Sequence, residues 1–450
     1  MDVHLFRDAG LGNGSYLIEV SPGRSVVVDP DRRIRRYLDG ARDRGADIVG
    51  VLDTHLHADF VSGALDLRAE TGAELYEPAE AGVSFPHTPV TPGERVDLED
   101  VEVEVLSTPG HSPEHVSYVF RRDGDTPVLF SGGALIVGGA ARSDLAGPEL
   151  TERLTHQQFE TLRRAFSDLP DETLLKPTHG GGSFCSAGSG KKHTSTLGEE
   201  RKTNTLLAMS EDQFLKSWPE SFPRTPAYFA RMREINWAGP RLRTNIEMPR
   251  PLASTAFADA ASKEGAVVID VRDPASYAEG HGQGAVAIPF RDAFPTWLGW
   301  LVPADARLLF VLGDTALDDV VDASLLVGLE RFEGFLDGGM DAWREADLPV
   351  RSLPAIGPDD VVSWMEKGAQ PVDVREPDEL EFGGISGAVS VPLGDLPGRA
   401  ASLPAGRPLL VYCASGMRST TAASLLERAG VGPVVHLKGG YGAWQEAGRD

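Results

Sequence analysis

The sequence predicts an α/β chain of about three domains, and three observations carry that prediction. Strand and helix patterns alternate through the first 200 or so of its 450 residues. One apolar strand runs straight into a cluster of histidines and an acid. The C-terminal part contains an internal repeat in which apolar strands again alternate with amphipathic helices.

In chain order, Ser15 to Val20 and Ser25 to Val28 have strand composition, with a Ser-Pro-Gly turn between them. Ile34, Tyr37, Leu38 and Ala41 follow helical spacing. The run Ile48 to Leu52 is an apolar strand, and Val101 to Leu106 alternates as a half-buried strand should. Val116 to Phe120 and Val128 to Phe130 continue the set. Thr151 to Phe166 is expected to be a helix, and Leu174 to Lys176 a short strand. Several of these strands end in loops bearing histidine: His55, His111 and His179. From about 200 to 248 lies a helical connector, with helices expected over Glu211 to Trp218 and Pro226 to Trp237. Thr225 is the expected cap of the second, with Pro226 in its first turn.

Domains are therefore expected at 1–248, 249–352 and 353–450. Val268-Ile269-Asp270-Val271-Arg272 matches Pro371-Val372-Asp373-Val374-Arg375. Gly284 to Pro289 matches Gly387 to Pro392 at the same offset, and Leu336 to Trp343 matches Leu437 to Trp444. Each copy spans roughly 100 residues, a comfortable domain size, and its pattern argues for a parallel sheet.

Net charge is −24, from 43 basic and 67 acidic residues. That balance disfavours nucleic acid and anionic membranes as partners. No apolar run reaches the ~20 residues of a membrane helix, and the polar start is unlike a secretory signal, so a cytoplasmic protein is expected. Two cysteines in a chain this long do not make a disulfide scaffold. Both, Cys185 and Cys413, fall in Gly/Ser-rich loops, a placement that points to chemistry rather than packing.

The second repeat runs the strand Leu409 to Tyr412 into Cys413-Ala414-Ser415-Gly416-Met417-Arg418, after which a helix is expected near Ser419. A cysteine between strand and helix N-terminus meets the positive end of a dipole and the N–H groups of a short loop. Arg418 adds a fixed charge, and together these stabilise a thiolate or persulfide. With its Asp-Val-Arg, Gly-Ala-Val-x-x-Pro and Gly-Gly-x-x-Ala-Trp elements in order, the repeat resembles rhodanese domains. The resemblance implies that Cys413 and Arg418 are catalytic, with Ala414, Ser415, Gly416 and Met417 forming the persulfide loop. In the first copy Leu312 falls at the cysteine position and Gly313-Asp314-Thr315 offers no arginine, so that copy is expected to be inactive.

Thr54-His55-Leu56-His57-Ala58-Asp59 supplies imidazole and carboxylate, the usual ligands of a hydrolytic or redox metal. Together with Asp29-Pro30, Thr108-Pro109-Gly110-His111, Arg142-Ser143-Asp144 and Lys176-Pro177-Thr178-His179, the motif resembles the metallo-β-lactamase superfamily. Within it the chain looks most like persulfide dioxygenases fused to rhodanese domains. The resemblance implies an αββα sandwich and a mononuclear iron held by His55, His111 and an Asp. Gly133 stands where that Asp should be, and Phe60 stands where another histidine is frequent. At most one metal is then expected, at His55, His57 and His111, with Asp59 and His179 nearby. Fe(II) is the implied ion and zinc the alternative; a metal-free pocket of mutually hydrogen-bonded histidines is the third reading. Arg142 and Cys185 are expected near the substrate.

The leading expectation is a sulfide-detoxification enzyme. A dioxygenase-like domain would oxidise a low-molecular-weight thiol persulfide, and Cys413 would pass sulfane sulfur to or from it, linking sulfite and thiosulfate. Two alternatives stay open: sulfur transfer alone beside a metal-poor thiol-binding domain, and a non-catalytic sulfur carrier or docking scaffold. A homodimer is plausible from the superfamily resemblance.

Overall fold

The computed structural model describes residues 1–186, 192–404 and 406–448. It divides into two compact units, one formed by Met1–Ile246 with Asp322–Gly328, the other by Glu247–Val321 with Leu329–Asp450.

Two six-stranded sheets build the first unit. The first runs in the order β1 (Val3–Arg7), β2 (Gly14–Ser21), β3 (Arg24–Val28), β4 (Asp47–Leu52), β5 (Glu74–Pro78) and β6 (Thr88–Val90). The second contains β7 (Arg95–Leu98), β8 (Val101–Ser107), β9 (Val116–Arg121), β10 (Val128–Gly132), β11 (Leu174–Pro177) and β12 (Ser195–Thr196), ordered from β12 back to β7. Side chains in a strand alternate between faces, and here the alternation sorts the core. Tyr16, Ile18, Val26, Val28, Tyr118, Phe120 and Phe130 point between the sheets, where they form one buried cluster. Their odd neighbours Leu17 and Val27 pack under the helices α1 (Arg35–Asp43) and α2 (Ala64–Thr71). Val119 and Leu129 pack with Leu162 of α3 (Pro148–Arg164). Helix, sheet, sheet, helix is the αββα sandwich expected from the sequence.

The connector contains helices Glu211–Ser217 and Phe229–Ala238. The second begins at Phe229, three residues beyond the expected Pro226, and Tyr228 rather than Thr225 precedes it. No helix among the described residues is long and apolar enough to cross a membrane.

In the second unit the two repeats have matching five-stranded sheets. The first orders Pro251–Leu252, Phe332–Leu336, Arg307–Val311, Ala266–Asp270 and Val286–Ala287; the second orders Ala355–Ile356, Val434–Leu437, Leu409–Tyr412, Gln370–Asp373 and Val389–Ser390. Every pairing in both is parallel. Asp270 pairs with Val311 just as Asp373 pairs with Tyr412. The residues that follow, Leu312 and Cys413, are therefore structural equivalents. The helix Met417–Arg428 lies against the first repeat: Ala287 N–H donates to Ser424 Oγ (2.9 Å), and Arg428 donates to Gly284 O (2.9 Å) and Ala266 O (3.1 Å).

Candidate functional sites

Three loops supply a buried histidine cluster, those after β4, β8 and β11, and the loops after β3 and β10 support it. Asp29, directly after β3, ties them together. Its backbone lies in the left-handed region (φ 50°), which aspartate tolerates better than most residues. There its carboxylate accepts from Thr54 N–H (2.7 Å) and Thr54 Oγ1–H (2.9 Å), and Thr178 Oγ1–H donates to it as well.

This network fixes the tautomers. Thr54 spends its one hydroxyl proton on Asp29, so its oxygen accepts from His55 Nδ1–H at 2.8 Å. His111 Nδ1 lies 2.6 Å from the Arg142 carbonyl, which can only accept. Asn13 uses its amide nitrogen on Asp59 Oδ2 (2.7 Å), leaving Oδ1 to accept from His179 Nδ1 at 3.1 Å. Each of the three rings thus carries its proton on Nδ1 and its lone pair on Nε2. The ligand atoms of His55, His111 and His179 lie within 4.8 Å of one another, and His55 Nε2 and His179 Nε2 are 3.3 Å apart. Two lone pairs that close repel unless a cation lies between them. Anchored Nδ1 atoms and converging Nε2 atoms are how metal-bound histidines are held, so the donor set fits a metal with an open position. Burial, then the neighbouring imidazoles, pushes His55 and His111 well below the usual histidine range, which keeps them in the neutral ligand form.

His57 departs from its expected place. It belongs to two other groupings, one with Asp29 and Asp53 and one with Asp59 and His179. Its ring stacks on Phe60 (centroids 4.2 Å apart), and its Nε2 is 3.3 Å from Asp29 Oδ1. Two donor sets that share His179 therefore converge, one with His55 and His111 and one with His57 and Asp59. Burial opposes its protonation, but Asp29, then Asp53 and Asp59, outweigh burial and raise it. Asp59 is held down to about 2: burial would raise it, and His179 with its hydrogen bond, His57 and Asn13 win.

The carboxylate position at Gly133 is not a void. A Cβ there would lie 2.6 Å from His111 Cδ2 and 2.9 Å from the Ala141 methyl, so the His111 ring fills the space. Sequence reasoning missed His115, four residues beyond His111. It stacks on His55 at 4.8 Å, its Nδ1 lies 2.8 Å from Thr108 Oγ1, and its Nε2 accepts from Gly133 N–H at 2.9 Å. Both nitrogens are committed, so it buttresses the cluster. The His-x-x-x-His spacing was visible in the sequence.

Folding places both Arg142 and Cys185 inside the domain. Arg142 is 3% exposed; it makes a bidentate pair with Asp144 (2.6 and 2.7 Å) and donates to Phe184 O (3.2 Å) and Pro223 O (2.5 Å). Its donors are spent on holding loops, and Asp144 is spent with them. Cys185 is fully buried, and burial, with Asp59 adding, pushes its thiol well up. The thiol is packed inside the domain beside Asp59 of the histidine cluster.

The cysteine loop is built differently. Cys413 ends the strand Leu409–Tyr412, and Gly416, in the left-handed region at φ 91°, turns the chain into the helix Met417–Arg428. That turn aims the Gly416 N–H at Cys413 Sγ, 3.2 Å away. Ser419 Oγ lies 3.8 Å from the sulfur and donates to Gly416 O at 2.9 Å. The Gly-Gly element clamps the loop from behind: Tyr441 N–H donates to Cys413 O (2.7 Å) and Gly442 N–H to Ala414 O (2.9 Å). Gly440 has no room for a side chain, since a Cβ would meet Cys413 O at 2.2 Å. Arg418 forms a bidentate pair with Glu379, both bonds 2.6 Å. Ser415 is exposed and Ala414 and Met417 half-buried.

The domains that carry these two sites have counterparts in known proteins. A metallo-beta-lactamase superfamily model matches residues 10–179, and a rhodanese-like domain model matches 254–346 and 357–447. A hydroxyacylglutathione hydrolase of Polaromonas sp. is 29% identical over 255 residues, covering 50% of this chain and 94% of that protein. One of Methylobacillus flagellatus is 38% identical over 161 residues, or 35% of this chain; the chain spans only 58% of that relative's length. The crystal structure of a metallo-beta-lactamase from Staphylococcus aureus subsp. aureus COL superposes with a TM-score of 0.66 at 28% identity, covering 75% of this chain and 98% of that one. Matched domains and observed folds agree: the chain joins an N-terminal metallo-beta-lactamase superfamily domain to two rhodanese-like domains in one polypeptide.

Proposed function

We propose that this chain is an enzyme of sulfur metabolism in which Cys413 carries sulfane sulfur as a persulfide. The observation that carries the proposal is the Gly416 N–H held 3.2 Å from Cys413 Sγ at the start of a helix. A donor in that position stabilises negative charge on the sulfur, and the helix dipole adds to it. Thiosulfate or a low-molecular-weight thiol persulfide is the donor. Cys413 attacks the outer sulfur, the leaving group departs as sulfite or thiolate, and the cysteine holds the persulfide. Thiocyanate formation from thiosulfate and cyanide tests this; undiminished rates in C413S would reject it.

The N-terminal domain is proposed to act on the same thiol persulfide, oxidising it to sulfite with O₂. His55, His111 and His179 would hold the metal. Iron there would supply the redox chemistry, whereas zinc would supply only Lewis acidity. Asp29, Thr54 and Asn13 set the tautomers, and the burial of all three rings keeps water out. The relatives named for hydroxyacylglutathione hydrolysis support a thiol-derived substrate for this fold. O₂ uptake by iron-loaded protein given a thiol persulfide, abolished in H55A, is the expected result.

The Gly133 position favours a second reading, sulfur transfer alone. With His111 filling the space of a carboxylate ligand, the domain would bind the thiol without oxidising it. Metal analysis separates the two: one iron per chain supports oxidation, and no metal after purification with intact thiocyanate formation supports transfer alone.

A further inference from the structure

The helix Met417–Arg428, which leads out of the cysteine loop, lies along an extended segment of the first repeat that runs in the opposite direction. Arg428, at the helix C-terminus, donates to Gly284 O (2.9 Å), and Ser424, one turn back, accepts from Ala287 N–H (2.9 Å). Beyond Ala287 the segment stays against its neighbouring strand: Ile288 N–H donates to Asp270 O (3.0 Å) and Phe290 N–H to Val271 O (2.9 Å). From Ala287 to Arg291 an extended chain reaches roughly 13 Å, and the helix from Ser424 back to Met417 spans about 10 Å. Arg291 is therefore delivered to the end of the helix where Cys413 lies. The next helix, Phe294–Leu301, anchors the segment beyond it. Its Trp300 sits so close to Gly394 of the second repeat that a Cβ there would lie 2.4 Å from the indole.

Arg291 is exposed, and among the described residues no hydrogen bond or ion pair takes its guanidinium. The loop's own arginine is in the opposite condition. Arg418 spends two nitrogens on Glu379 (2.6 Å each), and that pair brings no net charge to the sulfur. Electrostatics agrees with the placement: partial burial, then repulsion from Arg418, lowers the Arg291 guanidinium, and Cys413 acts the other way. The arrangement is one-sided. At the offset that pairs Gly284 with Gly387, the second repeat has Gly394 where the first has Arg291. The repeat that lacks the cysteine is the one that holds the arginine.

We propose that the sulfur-transfer site is shared between the repeats, with Arg291 of the first repeat binding the sulfonate oxygens of thiosulfate at the Cys413 loop. The inference rests on the sulfurtransferase reading above and assigns its anionic donor to a named residue. The planar guanidinium fork matches two sulfonate oxygens. The Cys413 thiolate attacks the outer sulfur, and a new S–S bond forms on Cys413. The bond from that sulfur to the sulfonate breaks, and its electron pair leaves with sulfite. Arg291 holds the same oxygens before and after the bond breaks, so it assists both capture of the donor and departure of the leaving group. No external oxidant or reductant is needed.

The test uses the full chain, cyanide as acceptor, and two donors: thiosulfate, and 2-hydroxyethyl persulfide, which has no sulfonate. R291M should lower kcat/KM for thiosulfate about tenfold relative to the persulfide, chiefly through KM, as loss of a charged bidentate contact predicts. R291K should recover part of that loss, since it keeps the charge without the fork. An equal loss for both donors, as a merely structural role would give, or no change for either, would overturn the assignment. Sulfite binding to C413S, followed by calorimetry, reads the same contact without turnover and should weaken about tenfold in C413S/R291M. If the wild-type chain forms no thiocyanate from either donor, the sulfurtransferase reading falls. If it does and sulfite binding is unmoved by R291M, only the role of Arg291 falls.

Discussion

The two rhodanese-like repeats share a strand order and a register, yet one holds Cys413 and the other Leu312 at equivalent ends of equivalent strands. The difference extends beyond that side chain. Gly440 and Gly339 occupy matching places, both at positive φ (62° and 59°). A Cβ on Gly440 would strike Cys413 O at 2.2 Å, whereas one on Gly339 would meet nothing within 4 Å. The same glycine turn therefore does two jobs in the repeat with the cysteine and one in the repeat with the leucine. The two repeats thus share a sheet and differ in the loop packed at its end and in the clamp behind that loop.

Breaking the comparison at its centre should have the largest effect. C413S should abolish thiocyanate formation altogether, leaving the thermal unfolding curve near wild type. G440A should come next, costing about 3 kcal/mol from overpacking and left-handed strain, and also lowering sulfur-transfer kcat because the Cys413 carbonyl must shift. G339A carries only the backbone term, so urea midpoints should report about 1 kcal/mol with transfer unchanged. L312C should have the smallest effect: no gain of transfer in a C413S background. Its loop lacks an arginine, and Asp314 would oppose a thiolate. Measurable thiocyanate from C413S/L312C would show that the sheet frame alone suffices.

Much of this was legible in sequence because it rests on periodicity and local chemistry. The alternation at Tyr16 to Val20 sorted itself between two buried faces, and the repeat offset placed Leu312 opposite Cys413 correctly. What escaped depended on long-range contacts. That His179 joins His55 and His111 turns on Asp29 holding a left-handed conformation and on Asn13 choosing which way to donate, neither of which has a local signal. Arg142 looked available because its partners Asp144, Phe184 and Pro223 are brought to it only by folding. Cys185 looked exposed because glycine and serine surround it in sequence, although the folded chain buries it. His115 was the one omission with a signal in plain view.

The contacts that hold the helix Met417–Arg428 against the silent repeat have an asymmetry. Ser424 and Arg428 bond to backbone groups of Ala287, Gly284 and Ala266, and the first repeat adds one side chain, His281, whose Nε2 lies 3.4 Å from Glu427 Oε2. A main-chain amide or carbonyl survives almost any substitution. At this seam the first repeat is held mainly through its chain path, with His281 the side chain that must be kept. A repeat without the cysteine thus still forms the wall against which the cysteine-bearing repeat sets its helix.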